Sequence, residues 1–163
     1  MQIHQDWPEI RQVFNAAFNS SSHYAVATVS PDGEPHITPI GSLILTEPGK
    51  GFYFEEFPSR LPQNLATNPQ LSVLAVNSGL WFWLKSLFRG RFAQSPAVRL
   101  YGRAGERRWA TEEEIAQWHK RVHSARHTKG YKILWQNMST VRELEFHRAE
   151  PVRLGVMTQH LHG

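Results

Sequence analysis

The chain has 163 residues, of which 40% are hydrophobic and 12% aromatic, so it is long enough for one packed core and too short for two full domains. It contains no cysteine, which excludes disulfides, thiolate metal sites and cysteine nucleophiles. No segment is long and apolar enough to cross a bilayer, and no basic region followed by an apolar run marks the N-terminus, so we expect one cytoplasmic domain over residues 1–163.

The net charge of +4 conceals a difference between the two halves of the chain. Residues 1–77 carry 3 Lys or Arg and 7 Asp or Glu, whereas residues 78–163 carry 15 and 7. A basic second half of this kind steers anionic ligands toward a cleft, or attracts nucleic acid or an anionic membrane surface. The charge pattern alone does not decide between these partners.

Four extended runs are predicted in the first half of the chain. Residues 23–30 are small, aromatic and β-branched, and the Pro-Asp-Gly-Glu that follows predicts a hairpin into a second run over residues 35–46. Gly and Pro residues precede the third run, residues 52–57, and a short helix precedes the fourth, residues 70–76. This succession predicts a mainly β protein, a meandering β-barrel with peripheral helices.

The turn between the third and fourth runs, residues 59–65, joins a hydroxyl, Ser59, and a guanidinium, Arg60, to the start of a short helix. Free N–H groups and the positive end of the helix dipole favour an anion there, so the turn predicts a phosphate site. The alternative is structural, with Ser59 capping a surface helix and Arg60 solvated. Asn64 either holds the turn closed, which we favour, or faces the ligand.

The segment 79–97 is rich in aromatic and basic residues and lies where a short connection would suffice, so we interpret it as an insertion. Its apolar residues recur at helical spacing and are expected to pack against the barrel or a partner subunit, with the basic residues outward. These apolar residues are Trp81, Leu84, Leu87 and Phe88. Three other roles stay open: covering a planar ligand, lying on a membrane surface, or, least favoured, stacking single-stranded bases.

The second half predicts a strand over residues 98–102, a helix over residues 111–124, and strands over residues 140–147 and 152–156, the last of which would close the barrel. A flexible tail is expected over residues 159–163.

Three histidines of the predicted helix, His119, His123 and His127, are spaced four residues apart and would share one helical face. Such a face raises the possibility of a metal or haem ligand. However, no carboxylate or cysteine accompanies them at a useful spacing, and the neighbouring basic side chains disfavour a bound cation. We therefore predict no metal site.

The first half of the chain resembles a known family, the FMN-binding split β-barrel proteins related to pyridoxamine 5′-phosphate oxidase. The resemblance is one of order and spacing, over residues 27–40, 52–54, 59–60, 64–65 and 68–69. It implies a split β-barrel of the FMN-binding-protein type. It also implies a homodimer with one FMN in each of two clefts at the subunit interface.

The resemblance further implies where FMN binds. In the family, the turn that corresponds to residues 59–61 binds the phosphate, and the strand that corresponds to residues 37–42 runs along the flavin. Leu61 stands where the family has a lysine, and Arg103 or Arg107 is expected to reach across the dimer to replace that charge. The implied cofactor-binding residues are Thr38, Pro39, Ile40, Gly41, Ser59, Arg60, Asn64, Arg103 and Arg107.

We therefore expect an FMN-dependent oxidoreductase that acts on a small, planar molecule, with its catalytic residues unassigned because the flavin carries the redox step. No nucleophile elbow, Walker motif or dinucleotide motif is present. Two alternatives stay open. One is a non-catalytic module of the same fold that carries or senses flavin or another anionic ligand, and the other is a basic surface-binding protein with a vestigial cleft.

Overall fold

The computed structural model describes residues 1–161, so His162 and Gly163 of the predicted tail lie outside the described residues. Seven strands form one antiparallel sheet in the order β2-β1-β5-β6-β7-β4-β3. The strands are β1 (Tyr24–Val29), β2 (Pro35–Ile40), β3 (Ile44–Leu45), β4 (Lys50–Phe54), β5 (Gln70–Val76), β6 (Ala97–Trp109) and β7 (Thr140–Pro151).

Helices lie between the strands and at both ends of the described chain. The α-helices are α1 (Trp7–Ser21), α2 (Arg60–Thr67), α3 (Leu80–Arg89), α4 (Glu112–Arg121), α5 (Lys129–Leu134) and α6 (Val156–Gln159), and a 3-10 turn covers His123–Ala125. The beginning of the predicted tail is ordered, because His160 Nε2 lies 2.9 Å from the Phe92 carbonyl oxygen.

The predicted strands of the first half are confirmed, but the second run divides in two, as β2 and β3. Between them, the Ser42 hydroxyl accepts a hydrogen bond from the Phe54 N–H and donates one to the Phe54 carbonyl, each over 3.1 Å. At this point the Ser42 side chain therefore replaces the backbone hydrogen bonds that a continuous strand would make. Within residues 1–161 no ladder joins β2 to β3, so the sheet is not closed into the predicted barrel.

The strand predicted over residues 152–156 is absent from the structure. Strand β7 instead continues to Pro151, paired along its length with β6. One further bond, from Val152 N–H to the Ala97 carbonyl, ends the pairing, and Gly155, with a φ of 55°, turns the chain into α6. A positive φ costs glycine little, which explains the direction change there.

Helix α1 is an element that the sequence analysis misses. Its buried residues Trp7, Ile10, Val13, Phe14 and Ala17 follow a helical period and pack on β1, β5 and β6. They belong to the larger of two apolar clusters in the described chain. This cluster fixes one face of the sheet, and the periodicity would have predicted the helix.

A second apolar cluster lies between strand β4, the start of β7 and helix α4. It contains Ile44, Phe52, Phe54, Trp118, Val122, Met138 and Val141. Helix α4 is held at its start by a capping box, in which the Thr111 hydroxyl accepts from the Glu114 N–H and the Glu114 carboxylate accepts from the Thr111 N–H. The cap and the aromatic packing together place α4 beside the end of β2.

A buried polar cluster joins β4 to β7. The guanidinium of Arg142 donates to both carboxylate oxygens of Glu55, with Nη2 to Oε1 at 2.7 Å. The Tyr53 hydroxyl donates to the same carboxylate, and burial, reinforced by this bond, raises the pKa of Tyr53. Because Glu55 is buried, Arg142 is the charge that makes its burial tolerable.

We expect Glu55→Ala to lower the free energy of unfolding by about 3–5 kcal/mol, because it leaves the Arg142 charge half-buried without its partner. Urea denaturation at neutral pH measures the change. Glu106→Ala removes an exposed carboxylate from neighbouring β6 and should change stability by less than about 0.5 kcal/mol. Equal effects of the two substitutions would contradict the assignment.

Candidate functional site

Strand β2 presents two different faces. Because side chains alternate along a strand, His36, Thr38 and Ile40 share one face, and Ile37 and Pro39 lie on the other. The first face is the more buried, with Ile40 in the apolar core. Each end of this face opens into a concavity, and these two concavities contain most of the residues predicted to bind the cofactor.

The aromatic cleft, of ≈ 280 Å³, lies at the C-terminal end of β2. It is lined by Phe18, Ser22, Pro39, Ile40, Gly41, Ser42, Phe54, Phe57, Pro58, Trp118, Arg121, Val122, Ser124, Ala125, Trp135 and Met138. Three predicted residues, Pro39, Ile40 and Gly41, are therefore brought together here. Gly41 has no room for a side chain, because an added Cβ would lie 2.8 Å from the Ser22 carbonyl oxygen.

Arg121 supplies the one cationic side chain that lines the aromatic cleft in the described chain. Its guanidinium lies 4.4 Å from the centroid of the Phe18 ring and donates to the Leu43 carbonyl. Arg121 and the lining tryptophans Trp118 and Trp135 were not predicted as site residues, because their positions depend on how α4 and the segment after α5 fold back on β4. No short-range motif marks them.

The Arg60 pocket, of ≈ 240 Å³, lies at the other end of β2 and is lined by Ser30, Pro31, Glu34, Pro35, His36, Arg60, Gln63 and Asn64. Within residues 1–161, the Arg60 side chain forms no hydrogen bond or ion pair. The pKa of Asp32 is lowered mainly by the hydrogen bond from Ser30, and the charge of Arg60 lowers it further. Arg60 is exposed at the first residue of α2, where the helix dipole adds positive potential. The Glu34 carboxylate opposes this potential.

The other residues of the predicted phosphate turn have structural positions. Ser59 precedes α2 but its side chain makes no capping hydrogen bond. The Asn64 amide donates to the buried Thr28 hydroxyl over 3.0 Å, which is the structural role favoured from the sequence. Leu61 is 0% exposed within the larger apolar cluster. A lysine at this position would have to leave the core, so the missing charge reflects the packing of α2.

Thr38 lies on β2 midway between the two concavities. Its hydroxyl oxygen is buried and has no hydrogen-bond partner within the described residues. A buried hydroxyl without a partner costs about 1–3 kcal/mol, so such groups are rare in folded proteins. The unpaired hydroxyl is an observation that favours a polar ligand beside β2.

Two predicted residues lie apart from both concavities in the single chain. Arg103 lines a third cleft with Lys50 and Glu145, on the β6 and β7 side of the sheet. Arg107 Nε lies 3.8 Å from Glu55 Oε1, and its Nη2 donates to the Thr140 hydroxyl. The structure of one chain therefore does not bring Arg103 or Arg107 to Arg60.

The histidine face predicted on α4 does not form. The helix ends at Arg121, and His123 begins a 3-10 turn, so His119, His123 and His127 do not share one helical face. The basic side chain of Arg126 contacts His123 and His127 instead. Among residues 1–161, no three His, Asp or Glu side chains are grouped so that they could hold a metal ion.

The segment that joins both concavities is fixed by Glu56. One carboxylate oxygen, Oε1, accepts hydrogen bonds from the Ser139 and Thr140 N–H groups, at 2.7 and 2.8 Å, and from both hydroxyls. Burial acts to raise the pKa of Glu56, but these hydrogen bonds outweigh it and hold the pKa below its usual value. The next residues, Phe57 and Pro58, line the aromatic cleft, and Arg60 follows.

Comparison with known proteins identifies the family to which this chain belongs. Residues 10–148 match the family model described as pyridoxamine 5′-phosphate oxidase, and the chain belongs to that family. The match covers strands β1 to β6 and most of β7. No curated protein gives a significant sequence match. None of the described helices is long and apolar enough to cross a membrane.

Solved structures share the fold at low sequence identity. An FMN-binding protein from Syntrophomonas wolfei is 13% identical, with a TM-score of 0.60, over 91% of this chain and 89% of that one. HupZ from Group A Streptococcus is 17% identical, with a TM-score of 0.55, over 87% and 92%. HutZ, the heme storage protein from Vibrio cholerae, is 18% identical, with a TM-score of 0.54, over 93% and 95%.

We expect Glu56→Gln to lower the free energy of unfolding at neutral pH by about 1.5–3 kcal/mol, because it removes charge-assisted hydrogen bonds. Since the pKa of Glu56 is lower in the folded than in the unfolded chain, its stabilisation is complete above the unfolded value of about 4.3 and is lost as the pH falls through the folded value. The difference between wild type and variant should therefore shrink in acid.

Urea denaturation of both proteins at neutral pH and near pH 3 tests this expectation. Glu106→Gln, at an exposed position, serves as the control and should match wild type at both pH values. A difference between wild type and Glu56→Gln that is the same at both pH values would contradict the account.

Proposed function

We propose that this protein binds FMN along β2, with the phosphate in the Arg60 pocket and the flavin ring in the aromatic cleft, and that it acts as a cytoplasmic, FMN-dependent oxidoreductase on a small molecule. The observation that carries this proposal is the placement of two unlike concavities at the ends of one strand face, with the unpaired Thr38 hydroxyl between them.

The two concavities match an elongated ligand with one anionic end and one planar end. His36 borders the Arg60 pocket, and Gly41 borders the aromatic cleft. These two residues are five positions apart, so at about 3.3 Å per residue the two concavities are about 16 Å apart. FMN has a phosphate, a polyol chain and an aromatic ring in that order. In this proposal the polyol passes beside Thr38, which lies on β2 between the two concavities, and the hydroxyl there gains the hydrogen bond that it lacks.

The phosphate end holds fewer charges than the family pattern. Arg60, the N-terminus of α2 and the His36 ring favour an anion, whereas Glu34 opposes it and Leu61 provides no charge. One charge-assisted hydrogen bond contributes about 1.5–3 kcal/mol, so the absence of a lysine weakens binding by about ten- to a hundredfold unless another cation takes its place. The ring end therefore contributes a large share of the affinity through apolar contact.

FMN, when bound, supplies the redox chemistry, and the chain provides binding, orientation and exclusion of water. The polar side chains that line the aromatic cleft are three serines and Arg121, so in the described chain no carboxylate, histidine or lysine there offers acid or base catalysis. Hydride transfer needs no such group. This lining also supports the second candidate, a flavin carrier or sensor without turnover.

We further propose a homodimer of split β-barrels that covers the outer face of β2, β1 and β5. On this face Ile37, which is 67% exposed, lies beside Ala27. Pro39 lies beside Ala25, and Ala25 pairs with Leu74 of β5. Apolar side chains of this kind on an open sheet face favour burial against another surface. Because Pro39 also borders the aromatic cleft, a partner subunit on this face would border the ligand.

The first test is a titration of the purified protein with FMN, in which binding is measured by the change in flavin absorption and fluorescence. Arg60→Ala should weaken FMN binding by about ten- to a hundredfold, because it removes the charge that contacts the phosphate. Arg153→Ala, at an exposed position outside both concavities, is the matched control and should bind as wild type does.

Reduction of the bound flavin by a nicotinamide cofactor would support the oxidoreductase, and tight binding without reduction would support the carrier. Since HutZ is a heme storage protein, haem is titrated in parallel. Absence of FMN binding at millimolar concentration would contradict both candidates.

Thr38→Val provides a second test, with opposite signs for stability and binding. The substitution removes a buried hydroxyl without a partner, so the ligand-free protein should be as stable as wild type or about 1 kcal/mol more stable, while FMN affinity falls. Thr28→Val is the control, because that hydroxyl accepts a hydrogen bond from Asn64, and its loss should cost about 1–3 kcal/mol. Thermal unfolding with and without FMN measures both effects; unchanged FMN affinity in Thr38→Val would contradict this role of Thr38.

A third test concerns the missing lysine. We propose that Arg103 of the second subunit replaces it, since within residues 1–161 Arg103 forms no ion pair, whereas Arg107 is engaged by Glu55. Arg103→Ala should lower FMN affinity several-fold and leave riboflavin affinity unchanged, because riboflavin has no phosphate. Unchanged FMN affinity in Arg103→Ala would exclude the compensation.

A further inference from the structure

The outer face of α3 exposes large apolar side chains that the rest of the described chain does not cover. Trp81 is 82% exposed and Phe88 is 90% exposed, and Leu80 and Leu87 are also exposed beside them. Trp81, Leu84, Leu87 and Phe88 were expected to pack against the barrel or a partner subunit. Within the described chain Leu84 is half-buried, but Trp81, Leu87 and Phe88 are exposed, and the residues that pack on the rest of the chain lie on the opposite side of the helix.

The inner face of α3 is firmly held, which fixes the direction of the outer face. The Trp83 indole donates to the Asn77 carbonyl over 2.7 Å, and the Phe82 and Trp83 rings pack on Phe92 at centroid distances of 5.4 and 5.1 Å. Ser86 is buried beneath the helix. The exposed side chains therefore belong to an ordered helix that ends at Gly90, where Gly90 and Arg91 N–H groups bond the last carbonyls.

Basic side chains adjoin the apolar surface. At about 100° per residue, Leu87, Leu80, Phe88 and Trp81 span an arc of about 120°, and Lys85 and Arg89 follow directly beside it. Arg91 lies just past the helix end. None of these three cations forms an ion pair within residues 1–161, and residues 57–105 contain no Asp or Glu. The apolar surface is therefore bordered by positive charges that no described ion pair neutralises.

We propose that the outer face of α3 docks the protein onto the surface of an anionic phospholipid bilayer. Tryptophan, phenylalanine and leucine enter the boundary between headgroups and acyl chains, and adjacent lysine and arginine side chains contact the anionic headgroups. At 10 residues, α3 lies in the plane of the interface and does not span the bilayer. The proposal is independent of flavin binding.

The charges favour a bilayer over a second copy of the chain. A two-fold contact places the same patch on both subunits, so the basic side chains Lys85, Arg89 and Arg91 of one subunit would meet the same basic patch of the other, and residues 57–105 contain no Asp or Glu to compensate them. An anionic bilayer surface supplies the opposite charge across the whole patch. Charge complementarity is thus available from the membrane and is lacking in self-association.

The test is co-sedimentation of the full chain with vesicles of phosphatidylcholine alone and of phosphatidylcholine mixed with phosphatidylglycerol. Wild type should sediment with the mixed vesicles, less so at high salt, and little with the neutral ones. Trp81→Ser with Phe88→Ser, and separately Lys85→Gln with Arg89→Gln and Arg91→Gln, should each lower the affinity at least about tenfold.

Matched controls change equal numbers of exposed apolar or cationic side chains elsewhere on the surface. Trp109→Ser with Ile133→Ser removes two exposed apolar side chains, and Lys120→Gln with Lys129→Gln and Lys132→Gln removes three exposed cations. Both controls should bind the mixed vesicles as wild type does, and thermal unfolding confirms that every variant is folded.

Three outcomes would overturn the proposal. One is absence of wild-type binding to the mixed vesicles, and another is equal loss of binding in the α3 variants and their controls. The third is conversion of a dimer to a monomer by Trp81→Ser with Phe88→Ser, measured by light scattering, which would assign the outer face of α3 to a subunit contact.

Discussion

The edge position of β2 is the constraint on which the candidate site depends. This strand pairs with β1 only, and Pro35 and Pro39 lack the N–H groups that an additional strand would need. An edge strand of this kind has a neighbour on one side only, so its other side and its two ends stay open to a ligand or a partner. One face leads from the Arg60 pocket to the aromatic cleft, and the other carries the exposed Ile37 and Pro39, which we propose to face a partner subunit.

Two consecutive carboxylates, Glu55 and Glu56, fix the segment between β4 and α2, which contributes residues to both concavities. Glu55 is neutralised by Arg142 in the interior, while Glu56 binds the start of β7 through backbone N–H groups. The chain that follows contributes Phe57 to the aromatic cleft and Arg60 to the pocket. The distance between the two concavities is thus set by hydrogen bonds to β7 and by the Asn64 bond to β1.

Local patterns in the sequence predict much of the sheet and one part of the site. Alternation and turn residues locate β1, β2, β4 and β5, and the turn before α2 correctly marks an exposed arginine at a helix start. The periodicity of α3 predicts a helix but not its orientation, because an apolar stripe does not reveal which neighbour covers it.

The remaining features depend on residues distant in the chain. Arg121 and Trp135 reach the aromatic cleft only through the path of α4 and α5, and Leu61 points into the core because of how α2 packs on the sheet. No short-range sequence pattern shows whether the buried Thr38 hydroxyl has a hydrogen-bond partner. Membership of the pyridoxamine 5′-phosphate oxidase family was predictable, since it rests on the order of short motifs.

The most direct test of the central claim compares FMN with riboflavin, which lacks the phosphate, in wild type and Arg60→Ala. If Arg60 binds the phosphate and the aromatic cleft binds the ring, wild type should prefer FMN about ten- to a hundredfold. Arg60→Ala should lose most of that preference and keep its riboflavin affinity. An equal preference for FMN in both proteins would show that the phosphate does not bind in the Arg60 pocket.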